Sequence, residues 1–206
     1  GERPEAAPGV PTAQVIGEPI GKNTAPAIAL AAWWIQGAGK DVAMVVLPSD
    51  HRVEPSERFR EDLERAARVA IERGGIVTFG IPPTRPETGY GYIEAGEAIA
   101  PGSPFHAVNA FREKPDLATA ARYAGDGKHL WNAGIFVFPP AVMLEELRAH
   151  CPDIAALLPE MPPRPGEGIA SALERFYGAV PSISIDYAVM ERSKRALVAR
   201  AGFAWD

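Results

Sequence analysis

The run Val42–Leu47 constrains the fold more than any other stretch, because its residues are all apolar with no polar alternation. Such a run predicts a strand that is buried on both faces, as in the centre of a parallel α/β sheet. Pro48 ends the strand, and Asp50 follows just past its carboxyl end. Ligands of open α/β sheets bind outside those strand ends, where an aspartate can hold Mg²⁺ and, through it, a phosphate. Asp50 either does this or caps a turn.

Composition and charge exclude several classes of partner. With 206 residues, 47% of them hydrophobic, the chain can bury the core of one large domain. Its net charge of −5 argues against a nucleic-acid or anionic-membrane partner. The single Cys151 cannot form an internal disulfide or a cysteine-based zinc site, and no signal peptide or membrane-length apolar run is present. We therefore expect a cytoplasmic protein with no nucleic-acid or membrane partner.

The order of the predicted elements indicates an α/β fold. The first part reads β-α-β-α-β, the pattern of a doubly wound sheet. Its elements are a strand at Ala13–Ile16, a helix from Asn23 or Thr24 to about Gln36, the strand Val42–Leu47, a helix over Pro55–Arg73 and a strand at Ile76–Ile81. The later elements are strands at Val108–Arg112, Trp131–Phe138 and Ala196–Ala201, and helices at Asp116–Ala124, Ala141–His150, Ile169–Tyr177 and up to about Lys194.

Four further stretches carry polar groups suited to a ligand. The amino end of the first helix, with Lys22 nearby, is either an anion or nucleotide site or an ordinary capped helix. The loop 82–93 holds two glycines that allow a close backbone approach to a ligand, or it is a tight turn before an edge strand. Glu113 and Lys114 could hold a sugar hydroxyl and a phosphate, or form a surface pair, and Asn132 could bind a ligand hydroxyl.

Six segments, taken in order, resemble one family. They are EPIGKNTAPAIALAA, LPSDH, PTRPETGYGYI, FREKPD, WNAGIFVF and SISIDYAVME. Their series resembles the mannose-1-phosphate guanylyltransferases, including the guanylyltransferase half of bifunctional enzymes with a phosphomannose isomerase domain, over roughly Gln14–Trp205. The resemblance implies a nucleotide-diphospho-sugar transferase (Rossmann-like) fold with a mixed, mainly parallel sheet flanked by helices. It also implies that GTP and α-D-mannose 1-phosphate give GDP-mannose and diphosphate with Mg²⁺.

The resemblance also implies roles for individual residues. Asp50 would be the Mg²⁺ ligand, and Lys114 would neutralise phosphate charge beside it. The nucleotide-binding residues would be Glu18, Pro19, Lys22, Asn23 and Thr24, and the sugar-binding residues Gly89, Tyr90, Glu113, Asn132 and Gly134. Glu18 could accept hydrogen bonds from guanine, Asp186 would order the site, and His51 would be a structural hydrogen-bonding residue.

The chain also departs from the family pattern. It lacks the glycine-rich loop GGxGTRLWPxSR and the PKQF segment, whose amides and cations would hold the triphosphate. By the same alignment Asp206 lies about one residue before the second metal-binding aspartate. We therefore expect part of a single nucleotidyltransferase domain over residues 1–206, with an exposed strand edge and little or no transferase activity as it stands.

Two other functions remain open from the sequence. One is a nucleotidyltransferase for another base or hexose, and the other is a non-catalytic module that binds a sugar nucleotide. The resemblance is compatible with a homodimer, which the sequence does not specify.

Overall fold

The computed structural model of the chain describes residues 10–11, 14–38, 41–166 and 168–206. The helices are α1 (Thr24–Ile35), α2 (Ser56–Arg73), α3 (Leu117–Gly125), α4 (Pro140–His150), α5 (Pro152–Ala155) and α6 (Ile169–Ala179). The strands are β1 (Met44–Val46), β2 (Val53–Glu54), β3 (Ile76–Ile81), β4 (Tyr92–Ala98), β5 (Phe105–Arg112), β6 (His129–Phe138), β7 (Ala196–Arg200) and β8 (Ala204–Trp205). None of the described helices is long and apolar enough to cross a membrane.

The predicted α/β fold, a mixed sheet with flanking helices, is confirmed, although its strands pair differently from the expectation. Six strands form one sheet in the order β1-β6-β3-β7-β5-β4, and β2 pairs with β8 beside it. Among the described strands only β3 and β7 run parallel; the other pairs are antiparallel. The expected mainly parallel sheet therefore does not hold for this part of the chain.

The sheet curls into a closed ring of five strands. The beginning of β6 pairs with β4, and its later residues pair with β3. Because β3, β7, β5 and β4 are neighbours in that order, the ring β6-β3-β7-β5-β4 returns to β6. Each of these strands thus has a hydrogen-bonded partner on both sides.

The prediction for Val42–Leu47 was wrong in its placement. Only Met44–Val46 form a strand, which pairs antiparallel with β6 and has no second partner among the described residues. Val45 is 40% exposed and Leu47 is 49% exposed. The lack of polar alternation correctly indicated a strand, but burial on both faces also requires a packed layer on each face of the sheet, and Val45 and Leu47 are left exposed.

Two other predicted elements, one near the beginning of the chain and one near its end, also differ from the structure. Of the predicted strand Ala13–Ile16, Ala13 lies outside the described residues, and residues 14–16 form no strand. The helix expected to end near Lys194 is limited to a π-helical turn, Asp186–Met190. Residues 181–184 before it are not helical, because residue Ile183 pairs instead with the segment before α1.

Alternating residues of β3 and β6 face two separate cores. Ile76 and Phe136 face the larger core, which α1, α4 and α6 cover. Val77 and Val137 face the smaller core, which α2 covers through its alanines. Helix α1 lies close to its neighbours because its alanines Ala25, Ala29 and Ala32 are fully buried.

Candidate functional site

The centre of the candidate site is a partly buried amide–carboxylate pair, whose amide, Asn132, lies near the beginning of β6. Asn132 donates from Nδ2 to Asp186 Oδ1 at 3.0 Å, which joins β6 to the π-helical turn. Asn132 Oδ1 accepts the Gly134 N–H at 3.2 Å and lies 3.0 Å from the Thr78 hydroxyl. Burial, together with the nearby Glu191 carboxylate, raises the pKa of Asp186 despite this bond. Asn132 keeps a second N–H that is available to a ligand.

Glu113 and Lys114 lie beside this pair, at the end of β5. The Glu113 N–H donates to Glu191 Oε1 at 2.9 Å, and the Glu113 carboxylate lies 3.4 Å from Lys114 Nζ. Lys114 has a φ of 44°, a left-handed conformation that non-glycine residues rarely adopt. Such strained backbone is concentrated at functional sites, because the surrounding structure must hold it. Here the Glu191 carboxylate holds the Arg112–Glu113 peptide, one residue before Lys114.

Three carboxylates share this corner with one ammonium group. Burial raises the pKa of Glu113, and repulsion from Asp186 adds to the effect. Lys114 opposes both and remains mostly exposed, with its ammonium group free to meet an anion. The corner therefore combines carboxylate and amide groups suited to sugar hydroxyls with one cation suited to a phosphate.

Gly91 makes room for the Glu113 carboxylate. A β-carbon on Gly91 would lie 2.6 Å from Glu113 Oε2, closer than real contacts allow. The Gly91 carbonyl also accepts the Asn132 N–H at 2.8 Å, so this glycine contacts Asn132 as well as Glu113. The prediction that both glycines of this loop permit a close approach concerned a ligand; within the protein, the closer approach to a side chain is at Gly91.

The loop before β4 is braced by its own side chains. Glu87 pairs with Arg85 at 3.2 Å and accepts the Gly89 N–H at 3.0 Å, a bond that lowers the pKa of Glu87. The Tyr90 ring packs edge-on against the rings of Trp131 and Trp205. Gly89 and Tyr90 are thus held at the edge of the site by aromatic and ionic contacts.

The predicted nucleotide stretch is hydrogen-bonded to the segment that carries Asp186. Thr24 Oγ1 accepts the Ile185 N–H at 2.8 Å, and the Ala25 N–H donates to the Ile183 carbonyl at 3.1 Å. The Ile183 N–H in turn donates to the Lys22 carbonyl at 3.2 Å. These bonds bring the amino end of α1 next to the corner formed by Glu113, Lys114, Asn132 and Asp186, which is called the sugar-side corner below after its expected ligand.

Asn23 and Glu18 occupy distinct positions in that stretch. Asn23 has a φ of 65° and caps α1, since its Oδ1 accepts the Thr24 N–H at 2.9 Å. Glu18 accepts the Tyr177 hydroxyl at 2.8 Å, and Pro19 follows on the surface. Burial raises the pKa of Tyr177, and its hydrogen bond to Glu18 adds to the effect.

Asp50 lies at the end of β1 with its carboxylate 87% exposed and 4.0 Å from His51 Nε2. His51 Nδ1 accepts the Trp205 indole N–H at 3.0 Å, in keeping with the expected structural role of this histidine. A β-carbon on Gly134, whose φ is 68°, would lie 3.5 Å from Pro48 Cγ and 3.8 Å from His51 Cε1. Through these contacts the Asp50 turn adjoins the sugar-side corner.

Three residues that sequence reasoning missed support the predicted ones. They are Thr78 under Asn132, Glu191 behind Glu113 and Tyr177 against Glu18. Their positions in the sequence look like those of ordinary strand or helix residues, so they were not selected as site residues. The one available signal was a lone polar residue, Thr78, inside the apolar run of β3.

The chain belongs to the nucleotidyl transferase family, whose model matches residues 6–166. Among its relatives is a protein of Sinorhizobium fredii named mannose-1-phosphate guanylyltransferase, 41% identical over 96% of this chain and 38% of that protein. The xanthan biosynthesis protein XanB of Xanthomonas campestris is 44% identical over 96% of this chain and 42% of that protein. The chain thus spans about two fifths of the length of these curated relatives.

A solved structure has a similar fold. The crystal structure of a Thermus thermophilus protein, named mannose-1-phosphate geranyltransferase, superposes with a TM-score of 0.80. It is 38% identical and is matched over 93% of this chain and 53% of that chain. The similarity covers the ring of strands and the helices described above.

Proposed function

We propose that this chain forms the base- and sugar-recognising part of a mannose-1-phosphate guanylyltransferase, which makes GDP-mannose and diphosphate from GTP and α-D-mannose 1-phosphate. The observation that carries the proposal is the hydrogen-bonded contact between the stretch 22–25 and residues 183–185, which lead into Asp186. It sets a candidate nucleotide site beside a corner that offers a carboxylate, an amide and an ammonium group. The relatives that bear this activity in their names support the choice of base and hexose.

The reaction requires positioning and charge neutralisation more than acid–base chemistry. An oxygen of the sugar phosphate forms a bond to the α-phosphorus of GTP while the bond to the bridging oxygen breaks and diphosphate leaves. The attacking phosphate oxygen is already ionised, so no side chain has to remove a proton. Lys114 would neutralise that phosphate, while Glu113 and Asn132 would hold the sugar hydroxyls.

Asp50 is the residue that would hold Mg²⁺. No group of three or more metal-ligating side chains occurs among the described residues, but Mg²⁺ needs only one or two carboxylates when phosphates and waters complete its octahedron. The exposed Asp50 carboxylate fits that requirement. When bound there, the cation would neutralise phosphate charge during nucleotidyl transfer.

The test of this proposal is calorimetric titration of the chain with GDP-mannose in Mg²⁺, with UDP-glucose as the comparison. We expect selective binding of GDP-mannose, and about tenfold weaker binding by Asp50→Asn, which corresponds to about 1.4 kcal/mol. Asp153→Asn, which changes an exposed aspartate on α5, serves as the matched control. Equal affinity for both ligands, in a chain shown by circular dichroism to be folded, would overturn the proposal.

Glu18→Gln should weaken the preference for guanine. A carboxylate can accept from both N1–H and the amino group of guanine, whereas the amide keeps only one acceptor oxygen. We expect the ratio of the GDP and ADP affinities to fall by about tenfold, because hydrogen bonds to charged groups contribute about 1.5–3 kcal/mol. Glu72→Gln, on the exposed side of α2, should leave the ratio unchanged. An unchanged ratio for Glu18→Gln would remove Glu18 from base recognition.

A further inference from the structure

A cavity lies at the ends of β4 and β5 that are farthest from Gly91 and Glu113, and at the beginning of β6, where its lining residue Leu130 is two residues before Asn132. It has a volume of about 200 Å³ and opens between the end of β4 and the beginnings of β5 and β6. Its lining residues are Ala95, Gly96, His106, Gly127, Lys128, Leu130, Val198 and Arg200. Since β4 rises about 3.3 Å per residue, Gly96 lies about 17 Å along the strand from Gly91. The cavity shares no lining residue with the candidate active site.

The ionisable side chains that line this cavity are all basic: Lys128 and Arg200 are cations, and His106 contributes an imidazole ring. Lys128 comes from the turn before β6, Arg200 from the end of β7 and His106 from β5. None of the eight lining residues is acidic, and neither Lys128 nor Arg200 makes a side-chain ion pair or hydrogen bond with another described residue. Surface cations commonly pair with nearby carboxylates, so two cations that converge on one cavity without an acidic partner point to an anionic ligand.

The positions of these groups are fixed by the backbone around them. His106 Nδ1 lies 3.1 Å from the Gly96 carbonyl, which can only accept, so Nδ1 carries the proton and Nε2 is left for a ligand. Lys128 follows Gly127, whose φ is 70°, and its N–H donates to Asp126 Oδ1 at 2.8 Å. The other Asp126 oxygen contacts His129 Nδ1 at 2.6 Å, so this carboxylate is already engaged by its own turn.

The strand ladder is interrupted at the same place. The pairing of β4 with β5 shifts register between Ala95 and Ala98. Irregular pairing of this kind is frequent next to functional sites, because it redirects backbone groups and side chains. Leu130 and Val198 form an apolar wall of the cavity, where lower local polarity strengthens the attraction between a cation and an anion.

We propose that this cavity binds a compact phosphate-type oxyanion, held by Lys128 and Arg200, with a protonated phosphate oxygen donating to His106 Nε2 as the third contact. The volume corresponds to about seven water molecules at about 30 Å³ each, enough for the five non-hydrogen atoms of a phosphate. Arg200 provides the planar donor fork that matches two phosphate oxygens. This inference does not depend on the proposed guanylyltransferase function, because none of its residues belongs to the candidate active site.

The test is a titration of the chain with inorganic phosphate, followed by the backbone amide signals of ¹⁵N-labelled protein. We expect saturable shifts at Gly96, Lys128 and Leu130, and about tenfold weaker binding for Arg200→Gln and for Lys128→Gln. Arg148→Gln, which removes an exposed cation of α4, is the matched control and should bind like the original chain. Lys114→Gln separates the two sites, since it should leave the shifts at the cavity intact.

A second titration with glycerol 3-phosphate shows whether the mouth of the cavity admits a phosphate ester. Saturable shifts with either anion support the proposal, and the stronger of the two identifies the form of phosphate that fits. The proposal is overturned if neither anion gives saturable shifts at these amides, or if Arg200→Gln and Lys128→Gln both bind like Arg148→Gln. Amide spectra of each variant, recorded without phosphate, confirm that the fold is unchanged.

Discussion

Asn132→Asp should lower the free energy of unfolding by about 3 kcal/mol at neutral pH, since it leaves a carboxylate without a donor in a poorly solvated site. The original amide donates to Asp186 at 3.0 Å, whereas an aspartate would set two like charges at that distance. Chemical denaturation at pH 7 measures the change. Asn109→Asp adds the same charge on an exposed position of β5 and should cost little.

The pH dependence of Asn132→Asp has a definite sign. Burial already raises the pKa of Asp186 above its ordinary value, and a second carboxylate would raise the proton affinity of the pair further. The folded variant then binds more protons than the unfolded chain at pH values above about 4, near the ordinary pKa of aspartate. Its stability should therefore recover as the pH falls from 7 towards 4. A loss of stability that is constant over this range would contradict the explanation.

An exchange of the two residues provides a sharper control. The double variant Asn132→Asp with Asp186→Asn restores one amide and one carboxylate in swapped positions. The carboxylate at position 132 can still accept from the Gly134 N–H and the Thr78 hydroxyl. We expect the double variant to regain most of the stability lost by Asn132→Asp, because the two carboxylates no longer repel each other. If the double variant is no more stable than Asn132→Asp, repulsion between the two carboxylates does not cause the loss of stability.

Gly91→Ala should weaken GDP-mannose binding by about tenfold to a hundredfold, since hydrogen bonds to a charged group contribute about 1.5–3 kcal/mol. The new methyl group would lie 2.6 Å from Glu113 Oε2 and force this carboxylate away from the sugar-side corner. The backbone can accept alanine, because the φ of Gly91 lies outside the left-handed region. Calorimetry should therefore show weaker GDP-mannose binding and an unchanged affinity for GDP.

The same variant has a readout that needs no ligand. Glu113 has a raised pKa chiefly because it is buried, so its displacement into water should lower that pKa towards the ordinary value. The carboxyl carbon signal of Glu113 reports this directly when the pH is varied. Gly125→Ala, at the end of α3, has no neighbouring atom within 4 Å and should change neither quantity. A normal GDP-mannose affinity in Gly91→Ala would exclude Glu113 from sugar recognition.

Short-range patterns in the sequence predicted most helices and several strands correctly. Gly74 ends α2 in a left-handed conformation, and Asn23 caps α1, as their residue types indicated. The strand at Ile76–Ile81 also has its predicted bounds. These features depend on neighbours within a few positions, which the sequence displays directly.

Sheet order and the supporting contacts could not be predicted in the same way. Strand β1 has the composition of a central strand, yet among the described residues it pairs with β6 alone. Thr78 meets Asn132 across 54 positions, Glu191 meets Glu113 across 78, and Tyr177 meets Glu18 across 159. Pairings this distant follow from the topology, which local propensity does not encode.

The closed strand ring also bears on how quickly a ligand can be captured. Gly91 leads into β4 and Glu113 follows β5, and each of these strands is hydrogen-bonded on both sides. A hairpin held in this way cannot swing open without breaking two ladders, so the sugar-side corner is shaped before any ligand arrives. Association should then require little rearrangement, and its observed rate should rise linearly with ligand concentration instead of reaching a plateau.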